Sequence, residues 1–202
     1  MSKKVLVACE MSGVVRDAFL RRGHDAWSND LQPNDHPNHL QMDCLQAIQM
    51  QDWDIIIMHP PCDCLALSGN RWYGRGTAGY HKRVEAVEWT AKLWRLALRQ
   101  GRRVALENPT SVIFPILKRD HIVQYVQPWQ FGHQEKKKTG FALHNLPPLE
   151  PTNILEVPMK GTPEDLEWQK VWRMAPSAER KNARSKTYEG IAEAMADQWG
   201  EL

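Results

Sequence analysis

The chain has 202 residues, 42% hydrophobic and 25% charged, an ordinary globular balance with enough length for a sizeable core. A formal net charge of +2 makes no bulk demand for nucleic acid, although a local basic patch depends on placement as well as on the sum. The four cysteines, Cys9, Cys44, Cys62 and Cys64, form no CxxC pair and are too sparse for a disulfide scaffold. No apolar stretch is long enough to cross a bilayer, so a reducing cytoplasm is the expected setting.

"KKVLVACE" opens the chain as a short apolar run that reads as a buried strand. "MSGVVRDAFLRRGH" follows with Val14, Val15, Ala18 and Phe19 at helical spacing and Gly23 as a stop. "DAWSNDL" is a second strand that ends on Asn29 and Asp30, and "QPNDHPNHLQMD" is expected to be loop. "CLQAI" makes a turn of helix at most, and "WDIIIMH" is the most apolar strand of all. Residues 82–100 predict a long helix stopped by Gly101, and "RRVALEN" predicts a further strand. Strands thus alternate with helices through the first half, the pattern of a parallel sheet with crossover helices. Later, "HIVQYVQPWQFGH" holds a candidate strand and "TGFAL" alternates. Thr162 and Pro163 cap a short helix, and "TYEGIAEAMADQW" is the last helix. No internal repeat and no composition break divide the chain.

In doubly wound sheets, ligands bind at the carboxyl ends of strands. Here those ends carry, in order, Glu10 with Ser12 and Gly13, then Asp30, then His59-Pro60-Pro61-Cys62, then Glu107-Asn108. Polar residues end many strands, but successive reactive groups in this order are distributed as in a site. Two prolines lack N–H donors and fix φ, so they stop ladder pairing and hold the next residue stiffly. A sulfur placed there, Cys62, can be a nucleophile if the site lowers its pKa; the alternative is a buried, inert thiol.

The order of these features resembles the cytosine-5 DNA methyltransferase family, which uses S-adenosylmethionine. "PPC" at Pro60 to Cys62 matches the family's nucleophile motif, and "ENP" at Glu107 to Pro109 is similar to its Glu-Asn-Val motif. "ARSKTYEGIAEAMADQW" is similar in place to the last motif, which returns to the cofactor pocket. The stretches "HPPC", "ENP", "FGH…KKT" and "LPPL.PT" are similar to those of small phage- and prophage-type members. The resemblance implies an α/β, Rossmann-like S-adenosylmethionine-dependent methyltransferase fold with a mostly parallel sheet and helices on both faces. It implies methyl transfer to carbon 5 of cytosine in DNA, with Cys62 as nucleophile, Glu107 on the pyrimidine N3 edge and Asn108 orienting that loop. Cofactor contacts carry over to Ser12, Gly13, Asp30 (ribose hydroxyls), Asp43 (adenine edge), Pro60 and Ser185. The family's first motif has more glycines, and Glu10 stands in one of their places, where it can meet the cofactor's ammonium.

The family's basic Gln-x-Arg-x-Arg motif has its nearest counterpart in Lys136, Lys137 and Lys138, a phosphate-binding run or a solvated loop. Arg71 and Arg75, with Trp72, sit in a glycine-rich segment read as a loop that closes over DNA. Residues 1–202 are expected to form one methyltransferase-like domain. Residues 145–182 would be a small lobe, with Trp168 and Trp172 as its core, where the family has a large target-recognition domain. DNA, duplex or single-stranded, is the expected partner, with a partner protein a candidate source of recognition. Rival readings are an amino-methyltransferase, disfavoured by Cys62, and a metal site, disfavoured by CxC spacing, so that no metal is expected. A non-catalytic relative binding nucleic acid or a partner, and an enzyme acting on RNA or a free pyrimidine nucleotide, stay open.

Overall fold

A computed structural model describes residues 1–117, 121–175, 177 and 184–202. The elements, in chain order, are β1 (Lys4–Ala8), α1 (Val14–Arg21), β2 (Asp25–Asp30), β3 (His39–Gln41), α2 (Cys44–Gln49) and β4 (Trp53–Met58). Then come the one-turn α3 (Asn70–Tyr73), the long α4 (Tyr80–Gln100), β5 (Gly101–Pro109), α5 (Ile113–Ile116), β6 (Ile122–Val126) and β7 (Thr139–His144). The short α6 (Pro163–Glu167) and α7 (Lys170–Arg173) precede the last helix, α8 (Glu189–Gly200).

The strands form one sheet in the order β3-β2-β1-β4-β5-β7-β6. All neighbours are parallel except β7, which runs antiparallel to both β5 and β6. The apolar runs are continuous because both faces are covered. On one face Val5, Val7, Ile55, Ile57, Ala105 and Phe141 pack with residues of α1 and α8. On the other Leu6, Ala8, Ile56, Met58, Val104 and Leu106 pack with residues of α2, α4 and α5. Trp199 on α8 is fully buried, lies edge-on to Phe141 and donates its indole N–H to the Pro147 carbonyl at 3.0 Å. Burying an aromatic ring of this size contributes about 3–5 kcal/mol by the cost of truncating it.

One expectation fails locally. The segment read as loop contains β3, which pairs with β2. The polar Asn29 side chain builds that edge: it is fully buried and donates to the carbonyls of Leu40 and Met42 at 2.8 and 2.9 Å. The Thr162 cap forms as read, its hydroxyl accepting from Asp165 N–H at 3.2 Å. Of the two tryptophans expected in a small lobe, Trp168 is buried, and the side chain of Trp172 lies outside the described residues. The Trp168 carbonyl accepts from Lys136 N–H at 2.8 Å, and Asn153 bridges Phe131, so this stretch packs back on the residues before β7.

This topology creates the site. The chain leaves β1 toward β2 and β3, then crosses back to β4 on the other side of β1. The crevice at the carboxyl ends of β1 and β4 is therefore the switch point where α/β sheets bind ligands.

Candidate active site

The residues bordering that crevice follow from register. Met58 pairs with Leu106, so His59 and Glu107 emerge side by side from the ends of β4 and β5. His59 Nδ1 lies 3.4 Å from Glu107 Oε2. Asn108, the next residue, points to the other face, is fully buried and donates to the Pro60 carbonyl at 3.1 Å. The proline turn that precedes Cys62 is thus tied directly to the neighbouring strand.

Cys62 is half-buried and within electrostatic reach of Glu107. Burial pushes its thiol up, the carboxylates of Glu107 and Asp63 push it further, and Arg184 and Lys137 pull it back only in part. Lys137 arrives here because β7 is antiparallel, which places the residues before it at the carboxyl edge of the sheet. Its ammonium donates to the backbone carbonyls of Arg184 and Lys186. Burial pushes it down while Glu107 and Cys62 push it up. A pocket lined by Glu107, Lys137, Thr139, Ser185, Thr187 and Tyr188 leaves about 10 Å³ free, room for a water molecule.

The segment after Cys62 is pinned rather than open over its first half. The Cys62 carbonyl accepts from Leu65 and Ala66 N–H, and Ser111 donates its hydroxyl to the Leu65 carbonyl at 3.1 Å. Arg83, buried on α4, donates to the Cys64 and Ala66 carbonyls and to the Asn70 side chain. The second half carries Arg71 and Arg75, both exposed, and Arg71 lies over the exposed Trp72 ring at 5.0 Å.

On the β1 side, Cys9 takes a left-handed backbone, φ 59°. This breaks the strand's alternation and leaves Glu10 over the start of α1. Glu10 is only 5% exposed. Its Oε1 accepts from the Ser12 hydroxyl at 2.7 Å and Val15 N–H at 3.3 Å, while its Oε2 has no hydrogen-bond partner. Gly13 is required here: its φ is +72°, and a Cβ would sit 2.2 Å from the Arg16 guanidinium. Arg16 is itself buried and donates to the Ser28 hydroxyl at 2.7 Å. Asp30 accepts from Gln32 N–H at 2.9 Å, and Asp43 caps α2 by accepting from Leu45 N–H at 2.8 Å. Both carboxylates lie close enough to Cys9 to push its thiol up, behind the larger effects of its contact with Cys44 and of burial.

The expected site residues therefore fall into three places. Glu10, Ser12, Gly13, Asp30, Asp43 and Pro60 line the β1–β2–β4 edge. Cys62, Glu107, Asn108, Lys137 and Ser185 gather at the ends of β4, β5 and β7. Arg71 and Arg75 stand out in solvent. The lysine run divides: Lys136 pairs with the buried Asp165, Lys137 turns into the site, and exposed Lys138 lies over the Tyr125 ring at 4.3 Å. Sequence reading gave no role to Arg16, Arg83 or Arg184, and placed His59 only among the polar groups at the strand ends. A signal for His59 was present in its position before two prolines; the three arginines left none. Among the described residues no group of three His, Cys, Asp or Glu is placed to hold a metal, and no helix is long and apolar enough to cross a membrane.

No family model and no curated protein matches the sequence. Solved structures do resemble the fold. The methyltransferase EhMeth of Entamoeba histolytica is 15% identical with a TM-score of 0.52, over 79% of this chain and 56% of that one. The Dnmt2 methyltransferase of S. pombe is 14% identical with a TM-score of 0.48, over 73% and 51%. A protein assigned as a DNA modification methyltransferase encoded within an E. coli prophage is 15% identical with a TM-score of 0.49, over 77% and 53%. The chain thus spans about half the length of the structures it resembles. The fold is the Rossmann-like fold of S-adenosylmethionine-dependent methyltransferases, a mostly parallel sheet with helices on both faces.

Proposed function

We propose that this chain is an S-adenosylmethionine-dependent methyltransferase that modifies carbon 5 of cytosine in DNA through a covalent adduct with Cys62. The observation that carries the reading is the meeting of two strand ends. Cys62 sits on a proline turn at the end of β4, Glu107 stands beside it on β5, and Asn108 holds the turn through Pro60. The β1 edge fits the cofactor: Glu10 presents an unpartnered buried carboxylate oxygen to an ammonium, Gly13 lets backbone approach closely, and Asp30 and Asp43 stand at the next strand ends. When bound, S-adenosylmethionine supplies an electrophilic methyl group.

Carbon 5 of cytosine is a poor nucleophile on its own. The Cys62 thiolate adds to carbon 6 while Glu107 gives a proton to N3, and carbon 5 becomes the nucleophilic end of an enamine. After the methyl is taken up, N3 returns its proton to Glu107, a base removes the carbon 5 proton, the bond from sulfur to carbon 6 breaks, and Cys62 returns to its starting state. A duplex substrate requires the base to be flipped out. A pyrimidine is far larger than the water-sized space lined by Glu107 and Lys137. Residues 145–182 take the place of a target-recognition domain, and Arg71, Arg75 and Lys138 supply phosphate contacts.

The small free space and the raised thiol also favour a second reading, a methyltransferase-like protein that binds nucleic acid or a partner without turnover. One experiment separates them. The protein is incubated with methyl-tritiated S-adenosylmethionine and, in parallel, duplex DNA, single-stranded DNA, tRNA or dCMP. Label on carbon 5 that disappears in Cys62→Ala, with a trapped adduct on 5-fluorocytosine, supports the first reading. Label that survives Cys62→Ala, or label on an exocyclic nitrogen, refutes it. Nucleic-acid binding without label transfer selects the second.

A further inference from the structure

We propose that His59 is a cofactor-binding residue: its Nε2 and Glu10 Oε2 together receive the α-ammonium of the cofactor's amino-acid moiety, and its Nδ1 links that grip to Glu107. The inference rests on the methyltransferase reading above and adds a residue that reading does not use.

His59 and Glu10 are neighbours across the switch point, since His59 N–H donates to the Ala8 carbonyl at 3.0 Å. Both side chains are more than nine-tenths buried, 7% exposed for His59 and 5% for Glu10. Each has one polar atom without a hydrogen-bond partner, His59 Nε2 and Glu10 Oε2. Such atoms are costly to bury, and two at one crevice call for a group that satisfies both. Burial pushes the Glu10 carboxyl up, the mark of a carboxyl that lacks a full set of partners.

The missing group can be named from donor and acceptor counts. In the proposed complex Nδ1, 3.4 Å from Glu107 Oε2, carries the ring's N–H, and Nε2 turns to the ligand as an acceptor. Glu10 Oε2 is an acceptor too, because Oε1 already takes the Ser12 hydroxyl and Val15 N–H. The ligand group must therefore donate at least twice from one atom. A carboxylate would be repelled and a hydroxyl has a single proton, whereas a primary ammonium donates three times. The Arg16 guanidinium, the weakest of the influences on Glu10, is bonded to Asp17 and Ser28 instead. His59 is then held by Glu107 at one nitrogen and by the ligand at the other, so ligand binding at β1 fixes the residue that orients Glu107.

The test compares two ligands by calorimetry. S-adenosylhomocysteine carries the amino-acid moiety, and 5′-methylthioadenosine keeps the nucleoside and sulfur but lacks it. Glu10→Gln and His59→Phe are each expected to weaken S-adenosylhomocysteine at least tenfold and leave 5′-methylthioadenosine within twofold. In the unaltered protein, the His59 Nε2 resonance in 15N-histidine spectra is expected to shift with the first ligand and not with the second; this readout needs no variant to fold. If the resonance responds to both ligands alike, or the variants lose both equally, His59 does not hold the ammonium and a water fills the gap. If neither ligand binds the unaltered protein, the methyltransferase reading itself fails, and the inference with it.

Discussion

Arg83→Leu tests how the segment behind Cys62 is held. The guanidinium is 7% exposed and donates Nε to the Cys64 carbonyl at 2.6 Å, Nη2 to the Ala66 carbonyl at 3.1 Å and Nη1 to Asn70 Oδ1 at 2.5 Å. Leucine keeps apolar contact along α4 but donates nothing. The Ala66 carbonyl retains Gly69 N–H at 3.0 Å, and exposed Asn70 turns to water at little cost. The loss therefore concentrates on the half-buried Cys64 carbonyl and on the charge-assisted bond to Ala66, each worth roughly 1–3 kcal/mol, offset in part by no longer burying a charge. The net loss is about 2–3 kcal/mol, or roughly 4–12 °C in Tm for a chain of this length. Urea unfolding gives the free energy. Hydrogen exchange at the Leu65 and Ala66 amides, both bonded to the Cys62 carbonyl, gives its location. A loss below about 1 kcal/mol, or unchanged exchange at those two amides, would refute the clamp.

The Cys62 thiol reports the charges around it. Glu107→Gln removes a carboxylate that pushes the thiol up, so the midpoint of its alkylation with pH is expected to move down; Lys137→Met removes an opposing cation and is expected to move it up. Mass spectrometry of the Cys62 peptide in a Cys64→Ser background reads both. Gly13→Ala forces an L residue into a left-handed backbone, costing about 1–2 kcal/mol. It also drives a Cβ into the Arg16 guanidinium, so a total loss near 2–3 kcal/mol is expected from urea unfolding. Asp165 is held down to about 2, below its ordinary 3.8, by the Gly161 N–H and by Lys136. Its folded value is depressed, so its contribution is full above about pH 4 and fades as pH falls through about 2. Comparing Asp165→Asn with the unaltered chain, the stability gap is expected to close across that acid window and stay constant at neutral pH.

What the amino-acid order settled by itself is what depends on neighbours in sequence. Ile55, Ile56 and Ile57 read as a strand covered on both faces, and Thr162 with Pro163 reads as a helix start, because period and capping act within a few residues. The proline pair likewise marked where β4 stops and Cys62 begins. The sheet order, with β7 reversed, was not in the pattern, because an alternating run looks the same in either direction. That reversal decides the site: it carries Lys137 toward Glu107 and Cys62, where the run of three lysines read as a phosphate-binding stretch or a solvated loop. Asn29 building β3, Arg83 clamping the Cys62 segment and His59 standing between Glu10 and Glu107 are decisions of the same kind. Each depends on a polar group being buried against partners 10 to 50 residues away, and burial is a property of the packed chain rather than of any local stretch.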